Sequence, residues 1–284
     1  MVYGFLKNPN KITQELAYMK TPPIESMFGA FNVKGKNVVV TGGNRGIGFG
    51  IATAFAESGA NVAVLCRNEE SGKSAAESFA KHGGRYTCVQ VDISDYSSVE
   101  TAAKSVYEFF DHVDVLVNNA GVGPTTDFFS ANGLEEWHNT INTNLHGVAN
   151  MVYAIAPGMR ESGSGGAIIN ISSIGAQRVS NSRKQPHPPY NVSKAGIDIF
   201  TKYLAIVLGG DGIRCNAIAP AFTRSDLGKG LPQKMLETVE DTFPTQRIGE
   251  PIEIGALCVF LASPAAVQIT GAVIAHDGGM MTVT

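Results

Sequence analysis

A chain of 284 residues, 44% hydrophobic and 17% charged, can bury one large core and is too short for two comfortable domains. A formal net charge of −3 leaves no electrostatic case for nucleic acid or an anionic membrane surface, and the apolar runs fall short of a bilayer span. Cys66, Cys88, Cys215 and Cys258 are scattered and the histidines show no ligand spacing, so buried free thiols and no metal are expected; the start, "MVYGFLKNPNKITQEL", lacks the features of a signal peptide, so a cytoplasmic location is expected.

Residues 1–34 carry no periodic pattern and read as an N-terminal extension. A rhythm then sets in. The β-branched run NVVVT (37–41) predicts a strand, and GIGFGIATAFAESG (46–59) a glycine-opened amphipathic helix. NVAVLC (61–66) is a second strand, followed by a charged helical stretch over 69–81. YTCVQVD (86–92) is a third, then a helix over 96–110 and the run VDVLVNNAG (113–121). The alternation continues with a helix over 134–160, GAIINIS (166–172), a helix over 189–208 and IRCNAIAP (213–220). It closes with a helix over 251–262 and GAVIAHDGG (271–279). Continuous apolar strands separated by helical crossovers predict a parallel sheet with helices on both faces. Right-handed crossovers make this a single-domain, doubly wound (Rossmann) α/β fold over 35–284. Only 221–250 breaks the rhythm, and it reads as a substrate loop or lid.

TGGNRGIG (41–48) joins the first predicted strand to the first helix. Glycine is needed where the chain turns tightly and where backbone approaches a pyrophosphate with no Cβ in the way. The helix that follows aims its N–H groups and positive dipole end at the phosphates. The position predicts a dinucleotide site drawing on Gly42, Asn44, Arg45, Gly46, Ile47 and Gly48. NAD and NADP are told apart after the second strand, where an acid hydrogen-bonds a ribose 2′-hydroxyl and a basic residue pairs with a 2′-phosphate. Here VLCRN puts Cys66 at the acidic position with Arg67 after it, and Arg45 sits inside the glycine turn, so NADP(H) is predicted.

Further along, NSRKQPHPPYNVSK (181–194) runs from a polar, proline-bearing loop into a helix and sets Tyr190 and Lys194 four residues apart, on one helix face. Free tyrosine titrates at about pH 10, too high for a good base near neutrality. An ammonium about 4 Å away, at an effective dielectric of about 20, would favour the tyrosinate by roughly 4 kcal/mol. Such a tyrosine can exchange a proton with a substrate oxygen while hydride moves to or from carbon.

The glycine spacing is TGxxxGxG rather than GxGxxG. It is followed in order by NNAG (118–121), Asn144 in NTNLHG, NISS (170–173), YNVSK (190–194) and NAIAPA (216–221). With these motifs the chain from residue 35 onward resembles the short-chain dehydrogenase/reductase family. The resemblance implies that Tyr190 and Lys194 are catalytic and also touch the cofactor, with Lys194 on the nicotinamide ribose. It implies that Ser173, rather than its neighbour Ser172, hydrogen-bonds the reacting oxygen, and that Asn144 supports a water-mediated proton path to Lys194. It sets Asp92 and Ile93 at the adenine and Asn118, Ala120 and Gly121 along its ribose. Pro220, Thr223 (by backbone) and Ser225 (by side chain) would hold the carboxamide. A homo-oligomer, commonly a tetramer built on helices near 134–160 and 189–208, is implied as well.

Two departures stand out. Ser173 and Tyr190 are 17 positions apart, longer than the family's usual spacing, so the loop before Tyr190 should bulge at the rim of the cleft. Ala221 stands where the family usually has glycine and would narrow the nicotinamide side. The loop RVSNSRKQPHPP (178–189) is rich in hydrogen-bonding groups, which suits a polyhydroxylated substrate. In this rim, in YNVSKAG and in the lead-in to the glycine turn, the chain resembles fungal ketose reductases and NADP-dependent mannitol dehydrogenases, implying a ketose/polyol pair. Against this, Phe222, Leu227, Leu231, Met235, Leu236 and Phe243 could cover an apolar ligand, so a hydroxysteroid or 3-oxoacyl substrate is the alternative. Enoyl reduction is disfavoured, because relatives doing that chemistry space their tyrosine and lysine more widely. A non-catalytic NADP-binding regulator would predict a broken tetrad, and here all four positions are filled.

Overall fold

The computed structural model describes residues 26–123, 126–179, 188–224 and 243–282. Seven strands pair in parallel in the order β3-β2-β1-β4-β5-β6-β7. They are β1 (Asn37–Thr41), β2 (Asn61–Cys66), β3 (Tyr86–Gln90), β4 (Val115–Asn118), β5 (Gly166–Ile171), β6 (Ile213–Pro220) and β7 (Val273–His276). Between them run α1 (Gly46–Glu57), α2 (Glu69–Ser78), α3 (Tyr96–Phe109), α4 (Gly133–Ile141), α5 (Gly147–Ser162), α6 (Pro188–Leu208) and α7 (Pro251–Ala262).

The period-2 geometry of each strand divides its side chains between two cores. Val38, Val40, Val62, Val64, Val117 and Ile169 meet α1 and α7 through Ile51, Phe55, Ile254 and Leu261. Val39, Ala63, Leu65, Leu116 and Ile168 meet α3 and α5 through Val99, Val106, Met151 and Ile155, with Leu204 and Leu208 of α6 beside them. Both faces are covered, which is why these strands read as unbroken apolar runs.

The sheet is built outward in two directions from its middle, β1 to β3 one way and β4 to β7 the other. A crevice therefore opens beyond the carboxyl ends of β1 and β4, where the connections leave for opposite faces. This places the glycine turn and NNAG side by side.

The structure redraws several predicted boundaries. The helix expected over 134–160 is two helices, α4 and α5, joined by a π-helical turn at Asn142–His146. The strand expected over 113–121 pairs only over Val115–Asn118, because Asn119 and Ala120 turn to bond Thr41. α1 stops at Glu57, and Gly59, at φ +80°, turns the chain into β2. α7 starts where its sequence says it must: Pro251 stands in the first turn, and Glu250 and Glu253 cap each other's backbone. Part of the N-terminal extension belongs to the fold, since Val33 is buried in the α1/α7 core and the Phe31 ring lies 6.0 Å from that of Phe260. All four cysteines are free; Cys66, Cys215 and Cys258 are buried and Cys88 is half-buried. No helix among the described residues is long and apolar enough to cross a membrane.

Candidate functional site

β1 and β4 are tied together at their carboxyl ends. The Thr41 hydroxyl accepts from the main-chain N–H of Asn119 at 3.0 Å and of Ala120 at 3.1 Å, and the Asn119 amide donates to the Thr41 carbonyl at 2.9 Å. Above this clamp the chain turns through Gly42 and Gly46, both in the left-handed region at φ +65° and +54°. Gly48 answers a different need. A Cβ there would lie 2.1 Å from the Gly42 carbonyl oxygen, so α1 can approach the turn only without a side chain. Arg45, the N-cap of α1, is extended and makes no side-chain cap, and the helical ladder begins with Phe49 donating to Arg45 O. The N–H groups of Gly46, Ile47 and Gly48 thus have no acceptor inside the helix, which fits this end of α1 to a pyrophosphate. The Asn44 amide donates to Ser71 Oγ at 2.8 Å, so its side chain fastens the turn to α2.

On the other side of the crevice α6 brings up Tyr190 and Lys194. Pro188 and Pro189 open the helix, where missing N–H groups cost nothing. Lys194 is 4% exposed; its Nζ donates to the Ile171 carbonyl at 2.7 Å and lies 5.7 Å from the centroid of the Tyr190 ring. Burial pulls the lysine down to about 8, and the charge of Asp198 works against that pull. The Ser173 side chain is a polar neighbour of Tyr190. The lowered tyrosine pKa expected from the sequence is not found in the protein alone. Burial pushes Tyr190 upward and Ser173 offsets only part of it; the Lys194 ammonium, bonded to the Ile171 carbonyl, faces the ring.

Ser173 and Ser172 leave the end of β5 on different errands. Ser173, extended at φ −164°, accepts from Gly175 N at 3.0 Å and faces Tyr190, while Ser172 is buried and donates to the Lys194 carbonyl at 3.3 Å. Asn144 stands in the π-helical turn, a widening of the coil frequent at functional sites. Its buried amide grips Val122 from both sides, accepting from its N–H and donating to its C=O, each at 2.8 Å, and reaches Ser193 Oγ at 3.2 Å. Gly121 passes between the two groups: a Cβ there would lie 3.2 Å from Asn144 Oδ1 and 3.6 Å from Lys194 Nζ. Asn144, Ser173, Tyr190, Lys194 and Gly121 thus converge on one mouth of the crevice, opposite the free end of α1.

A family model described as "Enoyl-(Acyl carrier protein) reductase" matches residues 42–281. The chain is 41% identical over 247 residues to a 3-oxoacyl-[acyl-carrier-protein] reductase of Chlamydia muridarum, covering 86% of this chain and 97% of that one. The chain belongs to the short-chain dehydrogenase/reductase family. Another member, a D-threitol dehydrogenase of Mycolicibacterium smegmatis, is 36% identical, covering 88% of this chain and 94% of its own. The crystal structure of a gluconate 5-dehydrogenase from Burkholderia cenocepacia, in complex with NADP and tartrate, superposes with a TM-score of 0.83 at 28% identity, covering 91% of this chain and 100% of that one.

The structure describes most of the remaining sequence-derived positions. Arg45 and Arg67 are exposed and form no salt bridge among the described residues; Arg67 acts on Asp92 through its charge. Asp92 accepts from the Ser94 hydroxyl at 2.7 Å and is held below the usual carboxylate range, by that bond first and by Arg67 last. Ile93 is buried, with its carbonyl accepting from Asn150 at 3.0 Å. The Asn118 side chain faces into the sheet and donates to Asn170 Oδ1 at 2.9 Å, so only its backbone is free to meet a ribose. Pro220 is buried at the end of β6, and Thr223 is buried in an isolated bridge with Gly249. Ser225, the lid residues Leu227, Leu231, Met235 and Leu236, and the rim residues 180–187 lie outside the described residues. No group of three or more His, Cys, Asp or Glu among the described residues is placed to hold a metal ion.

Sequence reasoning missed two residues. Thr41 and Asn119 are the clamp beneath the turn, and both lie inside motifs quoted for their glycines.

Proposed function

We propose that this short-chain dehydrogenase/reductase is an NADP(H)-dependent enzyme of the cytoplasm that interconverts a ketose and a polyol, with Tyr190 as acid/base. The observation that carries the reaction is the convergence of Ser173, Tyr190 and Lys194 on one side of the crevice, opposite the uncapped end of α1. A nicotinamide dinucleotide bound across the crevice would supply or accept the hydride. In the reductive direction Ser173 orients the substrate oxygen, and the Tyr190 hydroxyl, kept protonated by burial, gives up its proton to that oxygen. Lys194 holds its charge beneath the ring and limits the cost of the tyrosinate left behind. Asn144 fixes the main chain at Val122, and with it the approach of Gly121 to Lys194.

The choice of NADP is supported by Cys66 at the acidic position and by the two exposed guanidiniums, Arg45 and Arg67, in the turns that follow β1 and β2. The ketose/polyol reading is supported by the polar rim sequence and by the likeness to a threitol dehydrogenase. The resemblance to fungal ketose reductases and mannitol dehydrogenases rests on sequence motifs alone. Of the apolar lid side chains, Phe243 is 3% exposed and its ring packs 6.1 Å from Phe222, so it serves the core first. Self-association is supported by Ile199, Tyr203 and Ile206, which stand 67%, 61% and 82% exposed on one stripe of α6.

A 3-oxoacyl thioester is the second reading, favoured by the 41% identity to the Chlamydia reductase. Initial-rate NADPH consumption with fructose and sorbose beside acetoacetyl-CoA separates the two. Saturable turnover of a ketose is expected; turnover of the thioester alone would transfer the substrate to the second reading.

A further inference from the structure

The geometry points to Ser71 as a positioning residue for cofactor choice: its hydroxyl ties the glycine turn to the turn between β2 and α2, and so sets the spacing of Arg45 and Arg67, the two guanidiniums that would take a 2′-phosphate. The inference rests on the NADP(H) reading above.

Ser71 is a half-buried residue in the first turn of α2. Its Oγ accepts from the Asn44 amide at 2.8 Å and donates to the Asn68 carbonyl at 3.1 Å. Asn44 immediately precedes Arg45, and Asn68 immediately follows Arg67. One hydroxyl therefore stands between the two residues that flank the arginines. The main chain joins the same two turns lower down, where Gly42 N donates to Leu65 O at 2.6 Å. The Asn44–Ser71 bond is a further tie, placed beyond the strand ends, where the arginines are.

The Arg67 side of this hub is braced as well. The Arg67 carbonyl accepts from the Gln90 amide of β3 at 2.9 Å, and Asn68 O also accepts from the Cys66 thiol at 3.1 Å and from Gly72 N at 3.1 Å. The backbone that carries Arg67 is thus held from both sides while its guanidinium stays exposed.

α2 has no need of the hydroxyl for itself. Its first turn is capped by Asn68 Oδ1, which accepts from Ser71 N at 2.8 Å, and alanine is the better helix former. What the hydroxyl adds is a partner for Asn44 across the gap between the two turns. A phosphate dianion is bound best when both guanidiniums are already in place, because ordering a long side chain, or the loop beneath it, at the moment of binding costs affinity. A ribose 2′-hydroxyl makes no such demand on either arginine. Loss of the Ser71 hydroxyl therefore falls on NADPH and spares NADH.

The test titrates full-length wild type, Ser71→Ala, Ser71→Thr, Asn44→Ala and the double variant Ser71→Ala/Asn44→Ala with NADPH and with NADH, by cofactor fluorescence. Wild type is expected to favour NADPH. Ser71→Ala should weaken NADPH by roughly five- to tenfold and leave NADH within about twofold, while Ser71→Thr, which keeps the hydroxyl, stays close to wild type. The double variant should bind NADPH little worse than the weaker of the two single variants, because both break the same bond. Equal losses for the two cofactors, no loss, or a Ser71→Thr as impaired as Ser71→Ala would reduce Ser71 to packing and overturn the inference. Additive losses would make Asn44 and Ser71 independent contacts and overturn it too. Wild type that binds NADH as tightly as NADPH would overturn the NADP(H) reading itself, and the inference with it; a preference for NADPH that survives in Ser71→Ala overturns the inference alone.

Discussion

The two sides of the crevice recognise by different means. On the β1–β3 side the chemistry belongs to the backbone: two left-handed glycines, a third that admits the Gly42 carbonyl, and helix N–H groups with no partner inside α1. On the β4–β6 side it belongs to side chains buried and cross-braced. Asn118 bonds Asn170, Asn170 bonds Thr201 at 2.9 Å, Asn144 grips Val122, and Lys194 is held by Ile171. A backbone site tolerates many side chains but no stray Cβ. A side-chain site tolerates few changes of chemistry, because many of its buried polar groups are held by one another.

The difference can be broken by variants that should affect one side only. Tyr190→Phe should lower kcat by on the order of 10²–10⁴, the usual contribution of a positioned acid or base, and leave NADPH affinity within about twofold of wild type by fluorescence titration. Lost binding in that variant would mean that the two sides are not separable. Gly48→Ala is the converse. The new methyl meets the Gly42 carbonyl at 2.1 Å, so the turn must move. NADPH affinity should fall by roughly tenfold or more, with about 1–3 kcal/mol of stability lost to overpacking and a visibly lower Tm. Arg67→Asp sharpens the contrast within the first side, since it leaves the glycine turn intact and sets a carboxylate towards the 2′-phosphate. NADPH should weaken at least about tenfold more than NADH, and equal losses for both would make Arg67 a surface charge.

The same contrast explains what could be read from the sequence. The glycine turn was legible because its requirement, no Cβ at set positions, is local. Tyr190 and Lys194 were legible because i and i+4 on a helix share a face whatever surrounds them. The π-helical turn at Asn144 was not, since five residues in a wider coil have no composition of their own, and 134–160 read as one helix. Nor was the direction in which Tyr190 is pushed, which depends on how deeply α6 is buried and on the Ile171 carbonyl, met only when β5 folds against the helix.

The smallest expected effect concerns Lys194 itself. Folded, it titrates at about 8, against 10.5 for an unburied lysine. Below pH 8 it is charged in both states and the full cost of its burial is present. Between the two values the unfolded chain binds a proton that the folded chain has shed, so stability rises with pH across that window. The gap corresponds to at most roughly 3 kcal/mol. Tyr190, pushed upward from 10.0, and the thiols of Cys88, Cys215 and Cys258, pushed upward from 9.0, act in the opposite sense as pH rises through those values, so the lysine is isolated by the difference between wild type and variant over pH 7.5–9.5. Lys194→Met should remove this rise when Tm or urea midpoints are compared with wild type over that range. The slope is the informative quantity, because the substitution also strips the Ile171 carbonyl of its donor and removes one of the two cations that act on Asp198, which shifts the whole curve at every pH. A wild-type slope equal to that of the variant would mean that the ammonium is solvated in the folded protein, and the side-chain half of the crevice would then be far wetter than its hydrogen bonds imply.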